Sequence, residues 1–496
     1  MRGSSRVSDL HATGNDANDP SFEICNLATV GEKPMIQAYD VVIVGAGTAG
    51  QTAAYDLKAA GLNVAVVEKS PKPGGVCALS GCQSKKWFYE AAETIAKCRH
   101  LAGKGIAEPP CGSWPQVLRE KNQFTSAVPG NTVKGFQQAG IDYVEGEARF
   151  QDGNALVVDG KRHHAGFFII AVGAKPMPLS FPGSDLLMTS DDWLEQADLP
   201  ERIVFVGGGF IAFEFAHFAA RLGPPGCRPI ILEAAERPLR PFDAEMVDLL
   251  LDASAEAGIE IHAGSQITGI RKVDRSFRVH TGAGHVFEAD QVVHGAGRVP
   301  AIDDLGLDSA GIAFNRAGIV VDEHMRTSNA KVFAIGDCAA TIQLARVADD
   351  EGHTAARAIL SELGKGQPTA IGYGAVPSVL FTCPQLGMVG KTEQGLLQEG
   401  VSYNKSFAKN LGWPTYRRVG LRHAAYKILT DDNGRLLGAH FLSDNACGML
   451  NAVRLAMLNG ITVDRLYRQS ITGPYPSRES DLIYMLKPLL SGLPEA

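Results

Sequence analysis

Two stretches of the chain share one pattern of apolar and polar positions: a continuous apolar run, a glycine-rich turn, an amphipathic segment and a second apolar run. The first stretch, residues 39–69, reads YDVVIVGAGTAGQTAAYDLKAAGLNVAVVEK. The second begins at residue 202 with RIVFVGGGFIAFEFAHFAARLG and continues at residue 229 with PIILEAAERPLRPFD. Short apolar runs bounded by turns are typical of strands buried on both faces, and the segments between them have helical spacing. The pattern therefore predicts two βαβ units.

The turn of the first unit carries a dinucleotide-binding fingerprint. Gly45, Gly47 and Gly50 form G-x-G-x-x-G. The first glycine permits the tight turn, the second lets the backbone approach a pyrophosphate, and the third lets helix and strand pack closely. Glu68 ends the second strand, where its carboxylate accepts hydrogen bonds from a ribose hydroxyl. The order of strand, turn, helix and acid predicts a first dinucleotide site.

The second unit carries the related motif G-x-G-x-x-A and predicts a second nucleotide. Its strand ends at Glu233, where a carboxylate accepts from a free 2'-hydroxyl and repels a 2'-phosphate, so NAD is favoured over NADP. Arg237 and Arg240 follow closely and leave a phosphate-binding role open. The motif residues are Gly207, Gly209 and Ala212.

Length and composition limit the class of protein. A chain of 496 residues is too long for one core, so we expect two to four domains. The net charge of -7, with mixed signs, gives no basic patch for nucleic acid and no polybasic membrane anchor. Without a long apolar run or a signal-peptide pattern, we expect a cytoplasmic protein, with residues 1–35 as a disordered leader or an expression-tag remnant. The nine cysteines do not suggest a secreted disulfide framework, and we predict no metal site.

Further segments complete a recognisable order. The stretch VFAIGDCAA is an apolar strand ending in Gly336 and Asp337, where a glycine admits a close ligand and an aspartate can hold a sugar hydroxyl. Together with GGVCALSGC, GEARF, IIAVGAKP, HGAGRVP and VPSVLFTCPQLGMVG, the chain resembles the pyridine nucleotide-disulfide oxidoreductases. These FAD flavoproteins include glutathione reductase, dihydrolipoyl dehydrogenase and mercuric reductase. The resemblance runs from about residue 39 to residue 485.

The resemblance implies an α/β fold with two Rossmann-like dinucleotide-binding domains and a C-terminal α+β interface domain that makes a homodimer. The FAD domain would comprise residues 36–187 and 296–368, the NAD(P) domain 188–295 and the interface domain 369–496. The implied cofactors are FAD and NAD(H), with NADP(H) less favoured. Cofactor contacts are expected at Gly45, Gly47, Gly50, Glu68, Lys69, Gly75, Lys85, Gly146, Ala148, Gly173, Gly207, Gly209, Ala212, Glu233, Gly297, Gly336 and Asp337.

Cys77 and Cys82 are separated by four residues, which a regular helix cannot bridge. Residues five apart in an α-helix have Cα atoms about 8.6 Å apart, beyond the roughly 4.4 to 6.8 Å that a disulfide tolerates. A bond between them needs a distorted helix start, and Gly74, Gly75 and Gly81 supply flexible backbone there. So small a loop favours a readily reduced bond, and a helix N-terminus lowers the pKa of a thiol.

The family's pattern gives these residues roles. Cys77 would be the interchange thiol that attacks the substrate, and Cys82 the thiol beside the flavin, which forms a charge-transfer complex when reduced. Lys85 corresponds to the lysine beside flavin N5, and Glu214 to its glutamate partner. An ammonium in that place stabilises negative charge on the reduced flavin.

Several positions depart from the family's pattern. Val76 replaces a threonine, Ser84 replaces a proline, and Phe210 stands where a tyrosine often gates the nicotinamide. The largest departure lies in GPYPSRESDL, where Tyr475 occupies the place of the usual catalytic histidine and Ser480 that of its glutamate.

The tyrosine bears on proton transfer. Histidine has an unperturbed pKa of about 6.5 and tyrosine one of about 10, so Tyr475 is a poor general base. Loss of general acid-base help costs roughly 100- to 10,000-fold in rate. Proton transfer from a dithiol should be slow unless Glu479 takes part or Cys77 is already a thiolate. Tyr475 could instead only pack at the interface.

Mercuric reductases resemble this chain in carrying a Pro-Tyr pair, here Pro474 and Tyr475. They also end in a cysteine pair, whereas no cysteine follows Cys447 here, and Cys25 has no partner in a C-x-x-C motif. Three functions stay open. The first is electron transfer between NAD(P)H and a small or protein-bound disulfide or dithiol, as in dihydrolipoyl dehydrogenase. The second is reduction of a metal ion or another small electrophile, and the third a flavoprotein with mainly a binding or assembly role.

Overall fold

A computed structural model describes residues 38–490. The predicted leader, residues 1–35, lies outside the described residues, as do the ends of two predicted domains at 36–37 and 491–496. The mixed α/β fold predicted from the sequence is confirmed. The domain boundaries stay a prediction.

The first part of the chain builds a seven-stranded sheet around the first βαβ unit. Strand order is β3-β2-β1-β6-β5-β4, with a strand from residues 332–334 added beside β6. The first three strands and β6 run parallel, and β4 and β5 are antiparallel additions. The elements are β1 (Ala38–Val44), α1 (Thr48–Ala59), β2 (Val64–Glu68), α2 (Gly75–Leu79), α3 (Cys82–His100), α4 (Trp114–Ala139), β3 (Asp142–Glu145), β4 (Ala148–Asp152), β5 (Ala155–Val158), β6 (Lys161–Ile170), β7 (Ala174–Pro176) and α5 (Ser190–Trp193).

The second βαβ unit builds a parallel sheet of order β10-β9-β8-β14, flanked by an antiparallel sheet of β11, β12 and β13. The elements are β8 (Arg202–Val206), α6 (Phe210–Leu222), β9 (Arg228–Leu232), α7 (Ala244–Glu256), β10 (Glu260–His262), β11 (Ile267–Val273), β12 (Ser276–Thr281), β13 (Val286–Ala289), β14 (Gln291–His294) and β15 (Arg298–Pro300). Strand β15 pairs with β7, so the chain returns beside the point at which it left the first sheet.

The chain then completes the first sheet and forms a separate antiparallel sheet of order β19-β20-β23-β22-β21. The elements are β16 (Phe314–Asn315), β17 (Gly318–Ile319), β18 (Val332–Ala334), α8 (Ala345–Glu362), β19 (Ser378–Leu380), β20 (Gln385–Gly390), α9 (Glu393–Glu399), β21 (Asn404–Lys409), α10 (Pro414–Arg417), β22 (Ala425–Thr430), β23 (Leu436–Ser443), α11 (Ala446–Leu458), α12 (Val463–Ser470) and α13 (Leu482–Leu486).

Helix α3 lies in a core that joins all these parts of the chain. Phe88 on α3 packs at a tilt against Trp114 at 4.1 Å and lies nearly parallel to Phe218 of α6 at 6.5 Å, measured between ring centroids. Leu380 and Leu442 of the C-terminal sheet belong to the same buried cluster. This packing fixes α3, and the cysteine at its start, against both the second βαβ unit and the C-terminal sheet.

A buried ion cluster adds a second tie between these segments. Lys427 on β22 is fully buried, and its Nζ lies 2.8 Å from Asp243, 2.9 Å from Glu245 and 2.7 Å from Glu393. Asp243 also caps α7 by accepting from the Met246 N–H. Three carboxylates around one ammonium compensate for the burial of its charge, so the cluster connects α7 to β22 and α9.

Candidate active site

The backbone breaks between the two cysteines of the GGVCALSGC segment. Cys77 lies within the short helix α2, which ends at Leu79, and Cys82 is the first residue of α3. Gly81 between them adopts φ -123° and ψ -110°, and a Cβ there would lie 2.8 Å from the carbonyl oxygen of Val76. The two cysteines therefore lie on either side of a helix break rather than along one regular helix. This break is the distortion that a disulfide bond between them needs.

The two thiols are in contact and differ in acidity. The Cys77 thiol donates a hydrogen bond to Cys82, which lowers the pKa of Cys82 to about 6 against the opposing effect of burial. The nearby charges of Lys85 and Lys86 lower this pKa further. The same hydrogen bond, together with burial, raises the pKa of Cys77 far above the ordinary value. In the dithiol form Cys82 is thus the thiolate and Cys77 the thiol.

Charged side chains at the start of α8 also face Cys77. Asp349 raises the pKa of the Cys77 thiol and Arg346 lowers it. Asp349 accepts a hydrogen bond from Thr48 and pairs with Arg346 at 2.9 Å. Sequence reasoning missed both residues, because nothing local to residues 345–350 indicates that α8 begins beside the cysteines.

The lysine and glutamate predicted as a pair are brought together. Lys85 Nζ on α3 lies 2.6 Å from Glu214 Oε2 on α6, and the Glu214 side chain is only 1% exposed. The other oxygen, Glu214 Oε1, accepts from the Phe381 N–H at 2.9 Å. Phe210, at the start of α6, is half-exposed with its ring centroid 5.2 Å from Lys85 Nζ. An oriented ammonium therefore stands beside the cysteine pair, near the entrance of the second nucleotide motif.

The loop of the first glycine motif, residues 45–50, forms a tight cradle next to the cysteine segment. Gly45 has φ +112°, and a Cβ there would lie 2.3 Å from the carbonyl oxygen of Ala171. A Cβ on Gly50 would lie 2.1 Å from the Gly45 carbonyl oxygen, and one on Gly75 would lie 2.5 Å from the Cα of Gly47. The fingerprint loop and the cysteine segment thus approach each other as closely as backbones can, which requires glycine at these positions.

Glu68 holds the far side of this cradle. Its two carboxylate oxygens accept from the N–H groups of Ala46 and Ser70, both at 2.8 Å. Helix α1 begins at Thr48 with no side-chain cap, so its first N–H groups remain available to an anion. A close backbone loop, a helix N-terminus and a fixed carboxylate fit the pyrophosphate and ribose of a dinucleotide such as FAD.

Gly336 and Asp337 lie at the end of β18, beside the cradle. Gly336 has φ +70°, and its N–H donates to Glu351 at 2.6 Å. Burial raises the pKa of Asp337, and Arg298 opposes the shift. This half-buried acid beside the first sheet is placed to accept from a hydroxyl.

The remaining predicted cofactor positions divide into two groups. The glycines all have positive φ, at Gly146, Gly173 and Gly297. Ala148 is buried in the sheet, so only its backbone could reach a ligand. Lys69 is exposed and pairs with Glu147 at 3.2 Å. Among the described residues, the side chains of Ala148 and Lys69 make no hydrogen bond or ion pair with the loop of the first glycine motif.

The second glycine motif opens on a cavity of about 560 Å³. Gly207 has φ +100°, and a Cβ there would lie 2.5 Å from the Cα of Ala296. Ala212 is fully buried and supports the motif from behind. The cavity's volume and its open glycine edge fit a nicotinamide dinucleotide. Its lining includes Gly207, Gly209, Phe210, Glu233, Arg237 and Gly297.

Two of the three charged residues that line this cavity, Glu233 and Arg237, are already hydrogen bonded, while the third, Arg240, has an exposed side chain. Glu233 accepts from the Gly208 N–H and, at 2.7 Å, from the Ala235 N–H. Arg237 donates to the carbonyl oxygens of Phe242 at 3.1 Å and Arg240 at 2.9 Å. The Glu233 carboxylate is therefore held in place in the cavity lining. The Arg237 guanidinium stabilises the loop of residues 237–242 through its two bonds to carbonyl oxygens.

The segment that replaces the family's histidine lies on the surface of the chain. Tyr475 is 75% exposed, and within residues 38–490 it makes no hydrogen bond or ring contact. Ser480 is buried and exchanges hydrogen bonds with Ser477. Glu479 accepts from Asn445 Nδ2 at 2.6 Å. Neither Ser480 nor Glu479 orients Tyr475 within one chain.

Comparison with family models identifies the class of protein. Residues 39–352 match the pyridine nucleotide-disulphide oxidoreductase model, and residues 376–481 match the dimerisation domain of the same family. The chain therefore belongs to the pyridine nucleotide-disulphide oxidoreductases and is a flavin-dependent enzyme of that family, as its sequence motifs indicate. The family uses FAD and a pyridine nucleotide.

Individual relatives have different substrates. The chain is 31% identical over 443 residues to a dihydrolipoyl dehydrogenase of Bacillus subtilis, covering 86% of this chain and 91% of the relative. It is 29% identical over 440 residues to a mercuric reductase of Staphylococcus aureus, covering 86% and 78%. Relatives of similar distance are thus named for different substrates, and sequence identity alone selects none of them.

A similar solved structure is the HOCl-induced flavoprotein disulfide reductase RclA from Escherichia coli. It superposes with a TM-score of 0.80 at 26% identity and covers 90% of this chain and 99% of that chain. A Cu(II) complex of RclA gives a TM-score of 0.81, with 92% of this chain and 100% of that chain covered.

Among residues 38–490 we find no helix long and apolar enough to cross a membrane. The same residues contain no group of three His, Cys, Asp or Glu side chains suited to a metal ion.

Proposed function

We propose that the protein transfers two electrons between NAD(P)H and a disulfide or dithiol substrate, small or protein-bound, through Cys77 and Cys82. The observation that carries this proposal is the contact between the two thiols across the helix break, with opposite shifts of pKa. A pair with one thiol and one thiolate suits an exchange reaction, because the thiolate is the nucleophile and the thiol can supply a proton. A dihydrolipoyl dehydrogenase-like substrate is the first candidate.

Bound FAD supplies the two-electron link between the nicotinamide and the disulfide. In the proposed arrangement Cys77 exchanges with the substrate, and Cys82 is the thiolate that would face the flavin when it is bound. Lys85 stabilises negative charge there, and Glu214 holds Lys85 in place through the 2.6 Å ion pair. The predicted FAD contacts at the first glycine motif, Glu68 and Asp337 belong to the same proposal.

NAD is the favoured nucleotide in this proposal. Glu233 lies in the lining of the cavity, fixed by two backbone N–H groups, where a 2'-phosphate would meet its negative charge. Arg237 and Arg240 share the lining; Arg237 donates to two backbone carbonyls, and Arg240 is exposed. The contacts at Gly207, Gly209 and Ala212 follow the same motif.

The proposed domain organisation follows the sheets. The FAD domain comprises residues 36–187 and 296–368, the NAD domain 188–295 and the interface domain 369–496. The dimerisation-domain match supports a homodimer. In that dimer the exposed Tyr475 would act as a hydrogen-bond donor at the partner's active site.

The test is an anaerobic addition of dihydrolipoamide to the yellow holoenzyme, followed by its absorption spectrum. Prompt appearance of a long-wavelength thiolate-flavin band means that a dithiol reaches Cys77, which supports lipoyl-type substrates. A band that forms only with NADH leaves the pair functional but moves the substrate elsewhere. If neither reagent produces the band, the pair is not an electron carrier, and a binding or assembly role is favoured.

A second function, reduction of a metal ion or another small electrophile, is favoured by the tyrosine segment. Tyr475 follows Pro474, is exposed and has no base beside it, and the relatives include a mercuric reductase. Ion-dependent oxidation of NADH that disappears in Cys77→Ser would support this function. Replacement of Tyr475 by His and by Phe separates the two: the histidine variant should gain dithiol turnover, and the phenylalanine variant should lose ion reduction.

A further inference from the structure

The segment that follows Tyr475 is anchored to the rest of the chain, although Tyr475 itself is exposed. Arg478, three residues further on, donates from Nε to Asp444 Oδ1 at 2.7 Å and from a second guanidinium nitrogen to Asp444 Oδ2 at 2.9 Å. The side chains of Arg478 and Asp444 are only 10% and 18% exposed. A bidentate pair of this kind fixes the orientation of the guanidinium as well as its distance from the carboxylate.

A ring contact also holds Arg478. Its guanidinium carbon lies 4.3 Å from the ring centroid of Tyr416, a buried residue of α10. A cation over an aromatic face is attracted to it. Asp444 lies in the turn between β23 and α11. Arg478 therefore joins the segment that carries Tyr475 to this turn and to α10.

Local contacts keep the segment compact. The Ser477 N–H donates to Ser480 Oγ at 3.0 Å, and the Ser480 N–H donates to Ser477 Oγ at 3.1 Å. Among the described contacts of residues 475–481, the Arg478–Asp444 pair is the one in which both groups are charged. Charge-assisted hydrogen bonds are the stronger kind, so this pair should decide where the compact segment lies.

We propose that Arg478 is a positioning residue of the redox site, and that its pair with Asp444 sets where the segment places Tyr475 at the active site of the partner subunit. The inference rests on the proposed function, in which Tyr475 is a hydrogen-bond donor at that site. The family's pattern has a glutamate in the place of Ser480. Here Ser480 bonds with Ser477 instead, so the backbone that carries Tyr475 decides where its hydroxyl lies.

Loss of the ion pair would release the segment without removing the tyrosine. The hydroxyl stands at the end of a long side chain, so a small rotation of the backbone moves it a long way. A displacement of about 1 Å is enough to weaken a hydrogen bond at a reacting centre. Arg478 can therefore act on a site that it does not touch.

The experiment measures whether Arg478 controls the place of residue 475 beside the partner subunit's Cys77. The FAD-loaded dimer carries Tyr475→Cys, with Cys82→Ser to keep Cys77 a free thiol and Cys111→Ser to remove an exposed thiol. Dibromobimane, a short reagent that joins two thiols, links the subunits. Denaturing gels give the rate at which the covalent dimer forms.

The parent with Tyr475→Cys should form the covalent dimer, and the same protein with Tyr475 retained should not. Arg478→Met should slow dimer formation at least roughly 3-fold, because loss of a charge-assisted pair lets the segment leave its place. Arg478→Lys keeps the charge without the bidentate geometry, so its rate should lie between those of the parent and Arg478→Met.

Matched variants separate positioning from a general loss of stability. Asp444→Asn should slow the cross-link as Arg478→Met does, and the double variant should be no slower than either single variant, because the two groups act as one pair. Arg326→Met removes an arginine with the same kinds of contact, 2.7 Å from Glu362 and 4.9 Å from the ring centroid of Phe333, and should leave the rate unchanged. If Arg478→Met does not fold, Asp444→Asn and Arg478→Lys give the same test.

Three results would overturn the proposal. The first is the parent's rate in both Arg478→Met and Asp444→Asn. The second is an equal slowing in Arg326→Met, since the effect would then be one of general stability. The third is a parent that forms no covalent dimer, since residue 475 would then not lie beside the partner subunit's Cys77.

The proposed function and this inference can fail separately, because the cross-link needs no turnover. If the rates follow Arg478 as expected but NADH reduces neither lipoamide nor another disulfide, Arg478 acts as proposed and the proposed substrate class is wrong. If NADH reduces a disulfide and the cross-link is indifferent to Arg478, the function stands and this inference fails.

Discussion

Lys85 Nζ lies 2.6 Å from Glu214 Oε2, which joins the helix that begins at Cys82 to the helix that begins at the second glycine motif. The side chains are 15% exposed for Lys85 and 1% exposed for Glu214, so water has little access to the ion pair. Removing one member of a buried pair leaves the other uncompensated.

The first prediction concerns this pair. Glu214→Gln keeps the shape and the contact with the Phe381 N–H but leaves Lys85 without its counter-charge. We expect FAD to be retained, reduction of the protein by NADH to slow at least roughly 10-fold, and stability to fall by about 3 kcal/mol. Stopped-flow absorbance and thermal unfolding measure the two effects. Glu93→Gln, at a more exposed pair on α3, is the control and should change neither.

The second prediction separates the two cysteines. In Cys82→Ser the FAD should remain and the thiolate-flavin band should be lost at every pH. In Cys77→Ala the remaining thiolate should keep the band, although the midpoint should move up, because the hydrogen bond from Cys77 is the largest cause of the lowered Cys82 pKa and alanine has no donor to replace it. Absorption spectra across pH decide this. A persistent band in Cys82→Ser would show that the assignment of the two sulfurs is wrong.

The third prediction concerns nucleotide choice. Glu233→Ala removes the carboxylate from the cavity lining and should raise the KM for NADH by roughly 10-fold, the effect of a lost charged hydrogen bond. The KM for NADPH should rise less, because the same change removes a repulsion. Steady-state kinetics with both nucleotides measure the ratio. Glu236→Ala, an exposed neighbour outside the lining, should leave both values alone; equal changes in Glu233→Ala would contradict the preference for NAD.

The fourth prediction concerns the buried ion cluster. Lys427→Met leaves three carboxylates around an empty centre and should cost about 3 to 5 kcal/mol of stability. Lys405→Met removes a lysine that also contacts Glu393, at 2.9 Å, but is 39% exposed, and should cost less than about 1 kcal/mol. Chemical denaturation measures the free energy of unfolding of the two variants. Similar losses of this free energy would contradict the prediction that the buried lysine stabilises the protein more than the exposed one.

The same cluster predicts a dependence on acid. Burial alone would raise the pKa of Glu393, but hydrogen bonds from Lys427, Tyr403 and Lys405 lower it to about 2. Because the folded-state pKa lies below the unfolded value, the contribution to stability is present above about pH 4.5 and is lost as the pH falls towards 2. This acid-dependent part should become smaller in Lys427→Met, in which only Tyr403 and Lys405 still donate to Glu393.

The sequence predicted those parts of the site whose determinants are local. The two glycine motifs, the acids that end their second strands and the helix break at Gly81 all follow from short-range patterns of turn and strand. The contact of Lys85 with Glu214 needed the family resemblance, because 129 positions separate them. Arg478 and Asp349 were missed because their importance arises from packing. Asp444 reaches Arg478 from the turn after β23, and α8 begins beside Cys77 only once the first sheet is complete.

Glu214 contacts two distant segments at once, with one oxygen for Lys85 and the other for the Phe381 N–H. Any rotation of the second βαβ unit away from α3 or from the C-terminal sheet would first have to break one of these contacts in a place that water does not reach. Glu214 is thus the point at which three segments of the chain are held together. We therefore expect the second βαβ unit to stay packed against α3 and the C-terminal sheet during turnover. The rate of turnover should then be set by proton and electron transfer rather than by domain motion.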